Sequence, residues 1–209
     1  MGKRSYLEIV KHYEQCLAEH GDTHSGVGWP KEEEVYKRFD VMLGVIRKED
    51  KGNITLLDFG CGTSHLYDYI LKNNFKNIIY SGLDISPKFI EVARQKYPKI
   101  NFYTQDVLEG NLSFSNFDYV VMNGVFTQKR GLSFDEMFSY FKETIQKVFQ
   151  KTNRGLAFNV MAKQVDWENE GNFYLSFDVL ADFLTKNVSK NFVFRKDYGL
   201  YEYTTYVYK

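Results

Sequence analysis

The stretch LLDFGCGTSHL, Leu56 to Leu66, decides how the rest of the chain is read. The short apolar run ITLLDF (54–59) has the length and composition of a buried strand, and it ends at Gly60. Gly60 and Gly62 then permit a tight turn, because a Cβ there would hold a ligand off the backbone or forbid a positive φ. A helix follows, and its first N–H groups, unpaired within the helix, face whatever polar atoms lie beyond the turn. Asp84 closes the next strand, IIYSGLD (78–84). An acidic group at that place can accept hydrogen bonds from both hydroxyls of an adenosine ribose. A nicotinamide dinucleotide would use the same geography. Its G-x-G-x-x-G fingerprint wants glycine where this chain has His65, and it usually lacks an acidic residue such as Asp58 two positions before the first glycine.

Working outward, the pattern is one of alternation. Helices are expected at 64–73, after Ser86-Pro87, at 135–150 and at 176–186. Strands are expected at 101–105, 117–123 and 155–161. Two β-rich runs, KNFVFRKDY (190–198) and YEYTTYVYK (201–209), flank Gly199 as an antiparallel hairpin. Strands alternating with helices imply a parallel sheet covered on both faces, with its strand ends gathered along one edge. Ahead of this lie two amphipathic helical patterns, residues 4–20 and a stripe from Pro30 to about residue 49. Residues 1–50 therefore read as a helical cap packed on a core of 51–209, within one compact domain.

Composition narrows the classes. The 209 residues are 44% hydrophobic and 17% aromatic, enough for a substantial core, and Lys+Arg balance Asp+Glu at 27 each. That neutrality argues against nucleic-acid or anionic-membrane partners. No apolar run reaches membrane-spanning length, the start lacks a signal-peptide pattern, and only Cys16 and Cys61 are present. A cytoplasmic protein without structural disulfides is the expectation.

LLDFGCGTSHL, GLDIS (82–86), QDVL (105–108) and FDYVVMNGVF (117–126) stand in the order and spacing of the class I S-adenosylmethionine-dependent methyltransferases, and residues 54–209 resemble that group. The resemblance implies an α/β, Rossmann-like fold with a mostly parallel seven-stranded sheet, S-adenosyl-L-methionine as cofactor and S-adenosyl-L-homocysteine as product. It also implies cofactor-binding roles. Gly60 and Gly62 would border the methionine part, with Cys61 as an inert small residue in the variable slot and Asp58 orienting the charged end. Asp84 would hold the ribose, Ile85 would lie against the adenine, and Asp106 with the Val107 N–H would read its edge. Asn123 would face the methionine ammonium or the methyl group.

A narrower resemblance covers nearly the whole chain. HGDTHSGVGW (20–29) and DYGLYEYT (197–204) are similar to motifs HG-x-T-x-x-G-V-x-W and D-Y-x-x-Y-E-[FY]-T of a group of small bacterial methyltransferases. Members of that group often accompany surface-polysaccharide genes, which implies O-methylation of a sugar- or phosphate-linked small molecule in capsule or lipopolysaccharide synthesis. On the acceptor side, His20, Asp22 and His24 are candidates for an acid–base group. Trp29 would form an apolar wall, Arg38 and Arg130 would bind an anion, and Tyr198 and Tyr201 would line the mouth. There is no [DN]-P-P-[FY] after the fourth strand, no Pro-Cys nucleophile and no carboxylate cluster for a metal, so base methylation and metal-assisted transfer are not expected. The expected assembly is a monomer or homodimer. The alternatives are a catalytically silent adenosyl-binding module that works through a protein partner, and a methyltransferase acting on RNA or protein.

Overall fold

The computed structural model describes residues 4–209, in which eight strands and six helices form one mixed sheet with helices on both faces. Helices α1 (Leu7–His20) and α2 (Glu32–Leu43) precede strand β1 (Ile54–Phe59). Then come α3 (His65–Lys72), β2 (Ile78–Asp84), α4 (Pro87–Lys96), β3 (Asn101–Thr104) and β4 (Phe117–Phe126). The rest is α5 (Phe134–Gln150), β5 (Thr152–Ala162), β6 (Tyr174–Leu175), α6 (Phe177–Asn187), β7 (Phe192–Arg195) and β8 (Glu202–Tyr208).

The strand order is β3-β2-β1-β4-β5-β8-β7, with the two-residue β6 alongside β5. Neighbours from β3 to β5 are all parallel, whereas β8 runs antiparallel to both β5 and β7. The chain builds outward from β1 to β3 and returns to place β4 on the other side of β1. That reversal leaves a crevice at the carboxyl ends of β1 and β4, where open α/β sheets bind ligands. The expected mostly parallel sheet with an antiparallel C-terminal end is present. Two details differ: β6 was not expected, and the last strand is inserted inside the edge, between β5 and β7.

Strand periodicity divides the core in two. Leu57, Phe59, Val120, Met122, Leu156 and Phe158 point to the face covered by α5 and α6. Ile54, Leu56, Tyr119, Val121 and Ala157 point to the face covered by α2, α3 and α4. This period of two on fully buried strands is why those segments read as nearly continuous apolar runs. The helix α5 starts at a capping box, with the Glu136 N–H donating to Ser133 Oγ at 3.2 Å and the Ser133 N–H donating to Glu136 Oε2 at 2.9 Å. The helical stripe expected to reach residue 49 stops at Leu43. Val45 and Ile46 continue it only as tight turns, their N–H groups bonding three residues back to Met42 and Leu43.

Strand β4 runs three residues past its expected end, and its register with β5 shifts between Met122 and Phe126. Gly124 lies within that shift, with φ at 79° and so close to Trp29 that a Cβ would stand 2.6 Å from the indole. Only glycine meets both conditions.

Helix α2 is fixed to the far side of the sheet by a buried ion pair. Arg38 Nε donates to Glu202 Oε1 and Oε2 at 3.0 and 2.9 Å, across 164 residues of chain. Removing one partner would strand a desolvated charge, so Glu202→Ala is expected to lower unfolding free energy by about 3–5 kcal/mol in urea denaturation. The double change Arg38→Met with Glu202→Leu should recover most of that loss. Equal instability of single and double variants would show that the pair contributes through something other than charge.

Candidate active site

The ends of β1, β2 and β4 border a half-open cavity. Asp58, Gly60, Cys61 and Gly62 line it from the first strand and its turn, Asp84 and Ile85 from the second, and Asn123 from β4. The turn is built as the glycines suggest. Gly60 and Gly62 have φ of 73° and 53°, and the N–H groups of Gly60 and Cys61 both donate to the Leu83 carbonyl, at 2.7 and 3.0 Å.

Asp84 ties this turn to β2, accepting from the Gly62 N–H at 3.0 Å and from the Ser86 N–H at 2.8 Å. Burial raises its pKa, the backbone donors oppose that, and the balance stands at about 6. Asp58 accepts from the Tyr80 hydroxyl at 2.7 Å. Its carboxyl is pushed up to about 7, first by burial and then by the Asp84 charge, against the effect of the Tyr80 bond. Two buried carboxylates face one cavity, and neither has a cationic partner among the described residues. A ligand carrying a positive group and several hydroxyl donors supplies what they lack.

The segment between α1 and α2 covers part of the cavity through Val27 and Trp29. Residues 20–29 fold on themselves, with the Val27 N–H reaching the Thr23 carbonyl at 3.2 Å and the Trp29 N–H the His24 carbonyl at 2.8 Å. Trp29 lies over Gly124, where an added Cβ would collide with the indole, and Val27 lies over Gly62, where a Cβ would stand 3.2 Å from its methyl. Asp22 pins the loop down by contacts to His65 Nε2 at 2.8 Å and Lys96 Nζ at 2.9 Å. Burial opposes its charge, yet hydrogen bonds from Thr63 and Lys96 outweigh that and hold its pKa below the usual carboxylate range. Helix α1 adds two more ties: Tyr6 donates to Asp106 Oδ2 at 2.6 Å, and Glu14 accepts from Ser86 Oγ at 2.6 Å.

The three acid–base candidates are not brought together on the cavity. His20 is half exposed beside Glu19, and Asp22 is engaged in the loop tether. His24 Nδ1 bonds the Trp29 carbonyl at 2.7 Å, which makes it a donor that shapes the loop. Among the acceptor-side candidates only Trp29 lines the cavity. Arg38 stacks on the Trp29 ring at 4.2 Å while paired to Glu202, and Arg130 is exposed in a left-handed turn. Tyr198 is buried with its hydroxyl 3.0 Å from Thr204, and Tyr201 is 68% exposed at the hairpin turn. Asp106 and Val107 do not line the cavity themselves. Asp106 adjoins it through Tyr6, and Val107 is part of the core.

Sequence reasoning missed Tyr6, Tyr13 and Tyr140, which line the cavity, and the buried Asn159 behind Asn123. The tyrosines of α1 carried a signal, since Tyr6, Ile9, Val10 and Tyr13 share one helical face. Asn159 was the one polar residue in the apolar run GLAFNVM.

A glycine turn after the first strand, an acidic second-strand end and a crevice at the switch point define a nucleoside-binding α/β protein. Comparison with known proteins gives the family. A profile described as a methyltransferase domain matches residues 57–162, just over half of the chain, and the protein belongs to that family. It is 27% identical over 154 residues to a Mycobacterium tuberculosis protein that bears a methyltransferase name, covering 73% of this chain and 91% of that one. A malonyl-[acyl-carrier protein] O-methyltransferase of Acetivibrio thermocellus is 28% identical over 127 residues, which is 59% of this chain and 41% of that longer protein. In fold, the chain is similar to the magnesium protoporphyrin IX methyltransferase of Synechocystis PCC 6803 solved with bound SAH, with a TM-score of 0.67 and 16% identity over 97% of this chain and 99% of that one. A Leishmania major SAM-dependent methyltransferase gives a TM-score of 0.66 at 15% identity, covering 98% of this chain and 83% of the other.

The unpaired carboxylates make a pH prediction. Asp58 and Asp84 keep their protons to about pH 7 and 6 when folded, but ionise near 3.8 when unfolded. The native state therefore binds more protons in that window, and stability falls as pH rises from about 4 to about 7. Asp58→Asn is expected to flatten the fall and to raise unfolding free energy at pH 8 by on the order of 3 kcal/mol. Denaturation followed across pH 4 to 8 checks this, and parallel profiles for the two proteins would contradict it.

Proposed function

We propose that the protein transfers a methyl group from S-adenosyl-L-methionine to an oxygen of a small molecule and releases S-adenosyl-L-homocysteine. The observation that carries this reading is the pair of buried, cation-free carboxylates, Asp58 and Asp84, at adjacent strand ends of a chain in the methyltransferase family. The bound cofactor supplies an electrophilic methyl on a sulfonium, and the protein supplies alignment, charge and exclusion of water. Asp84, which holds the Gly62 turn, would accept from the two ribose hydroxyls. Asp58 sets negative charge near the methionine ammonium and the sulfonium. Asp106 adjoins the cavity only through Tyr6, and each of its oxygens receives one hydrogen bond, so a role at the adenine edge rests on the sequence resemblance alone.

A small acceptor is supported by the cover over the cavity. Helix α1 and the loop of residues 20–29 lie across the strand ends and contribute Ile9, Val10, Tyr13, Val27 and Trp29 to the cavity wall, which narrows the space for a polymer. The charge balance of the chain points the same way. A role in surface-glycan synthesis rests on the narrower sequence resemblance alone. Arg38, which would have read a phosphate, is taken by Glu202, and Arg130 is exposed and does not line the cavity.

Isothermal titration with S-adenosyl-L-homocysteine tests the cofactor assignment. Saturable binding is expected, weakened about 10- to 100-fold by Asp84→Ala, which removes two charge-assisted hydrogen bonds. Affinity should also fall as pH drops from about 7.5 to 5.5, because Asp58 and Asp84 gain protons in that interval and the ligand's ammonium and ribose hydroxyls need them ionised. Absence of binding by the wild-type protein overturns the proposal.

A further inference from the structure

We propose that residues 21–28 are a hinged lid over the cavity and that Asp22 is its latch, so that an adenosyl ligand enters and leaves only when Asp22 lets go of His65 and Lys96. The inference rests on the methyltransferase reading and concerns how the same site is loaded and unloaded.

The size of the cavity sets the requirement. It is a half-open space of about 140 Å³. Sites that bury drug-sized ligands measure about 300–1,000 Å³, and S-adenosyl-L-methionine belongs to that size class. Part of the wall therefore has to move outward to admit it.

The parts of the wall differ in what holds them. The strand ends are locked in the sheet, with β1 paired on both sides, and the glycine turn is bonded to Leu83 and Asp84. Helix α1 is tied by Tyr6 to Asp106 and by Glu14 to Ser86 and Lys88. The loop is held in another way. The N–H groups of Thr23, Val27, Gly28 and Trp29 all donate to carbonyls of residues 21–25. Thr23 Oγ1 bonds the His20 carbonyl, and His24 Nδ1 bonds the Trp29 carbonyl. These contacts keep the loop's own shape and fasten it to nothing beyond. Among the described residues, the polar ties from residues 21–28 to the sheet and its helices all belong to Asp22, which meets His65 Nε2 at 2.8 Å, Lys96 Nζ at 2.9 Å and the Thr63 hydroxyl. At the far end Trp29 is clamped under the Arg38 guanidinium, 4.2 Å from the ring centroid.

A piece bonded within itself and latched through one side chain moves as a unit once the latch opens. Asp22 is one-third exposed, so water is at hand to replace its partners, and the latch opens at far lower cost than the buried Arg38–Glu202 pair. The kinetic consequence is specific. The lid closes over the cavity with or without ligand, so weakening the latch speeds entry and exit by the same factor and leaves Kd nearly unchanged. Loss of a direct contact to the ligand would speed exit alone.

Three variants weaken the closed lid by different means. Asp22→Asn and Lys96→Gln change charge in opposite senses, and neither residue lines the cavity. Gly21→Ala changes no charge. Gly21 has φ 62° and ψ −156°, a region nearly reserved to glycine, and nothing lies within 4 Å of an added Cβ, so alanine strains the closed loop without a clash.

Rapid filtration of radiolabelled S-adenosyl-L-homocysteine, which gives binding and release rates directly, tests the lid. Each variant is expected to speed both rates about tenfold, with Kd staying within about threefold of the wild type. In the wild type, raising salt from about 0.05 to about 0.5 M should speed both rates about two- to threefold by screening the latch. That comparison stands even if a variant folds poorly. Rates unchanged in all three variants, a rise confined to release, or opposite effects of Asp22→Asn and Lys96→Gln would each overturn the inference. Failure of S-adenosyl-L-homocysteine to bind the wild-type protein at all would instead overturn the methyltransferase reading beneath it.

Discussion

The hydrogen bond from the Gly62 N–H to the Asp84 carboxylate is the contact on which the site depends. It joins the turn after β1 to the end of β2, and so fixes the glycine loop relative to the strand that would hold a ribose. The contact requires a charge-bearing group in a place with little water, and burial correspondingly raises the pKa of Asp84. Asp58, two residues before the turn, stands in the same position with one hydroxyl donor. The fold thus keeps two carboxylates where they weaken it, which is common where a site must meet a ligand charge. The sheet can accommodate this because its neighbouring strands are apolar and well packed on both faces.

A second polar chain, Arg38–Glu202–Asn159–Asn123, runs from α2 through the antiparallel strand β8 and β5 to the end of β4. It explains why the C-terminal strand lies inside the sheet edge. Glu202 opens β8 and pairs with Met161, which places its carboxylate beside Asn159. A hairpin added only at the outer edge would leave Arg38 without that partner. Fold topology and site chemistry meet in one residue there.

What could be read from the sequence and what could not divide along the range of the forces involved. Gly60, Gly62 and Asp84 were legible because their roles follow from local backbone conformation and from position at a strand end. The helix starts at Pro87 and near Ser133 were legible for the same reason. The close approach of Trp29 to Gly124, inside the irregular end of β4, was not, because the two lie 95 positions apart in the chain. Residues 20–29 misled in a different way. His20, Asp22 and His24 resemble an acid–base group by type and spacing, yet a folded loop must also satisfy its own polar atoms. Here His24 bonds the Trp29 carbonyl, and Asp22 is taken by His65 and Lys96.

That division bears on where specificity resides. The loop of residues 20–29 contributes apolar cover through Val27 and Trp29, while its ionisable groups fasten it to α3 and α4. A tether of partly exposed charges is weak in water and sensitive to salt, so it suits a segment that has to release the ligand it covers. The buried chain behind Asn123 has the opposite character: it is desolvated, connected at each step and tied to the backbone at Gly124. Networks of that kind hold one orientation. The cover and the polar chain beneath it therefore differ in kind, the first a partly exposed tether and the second a desolvated network anchored on the backbone.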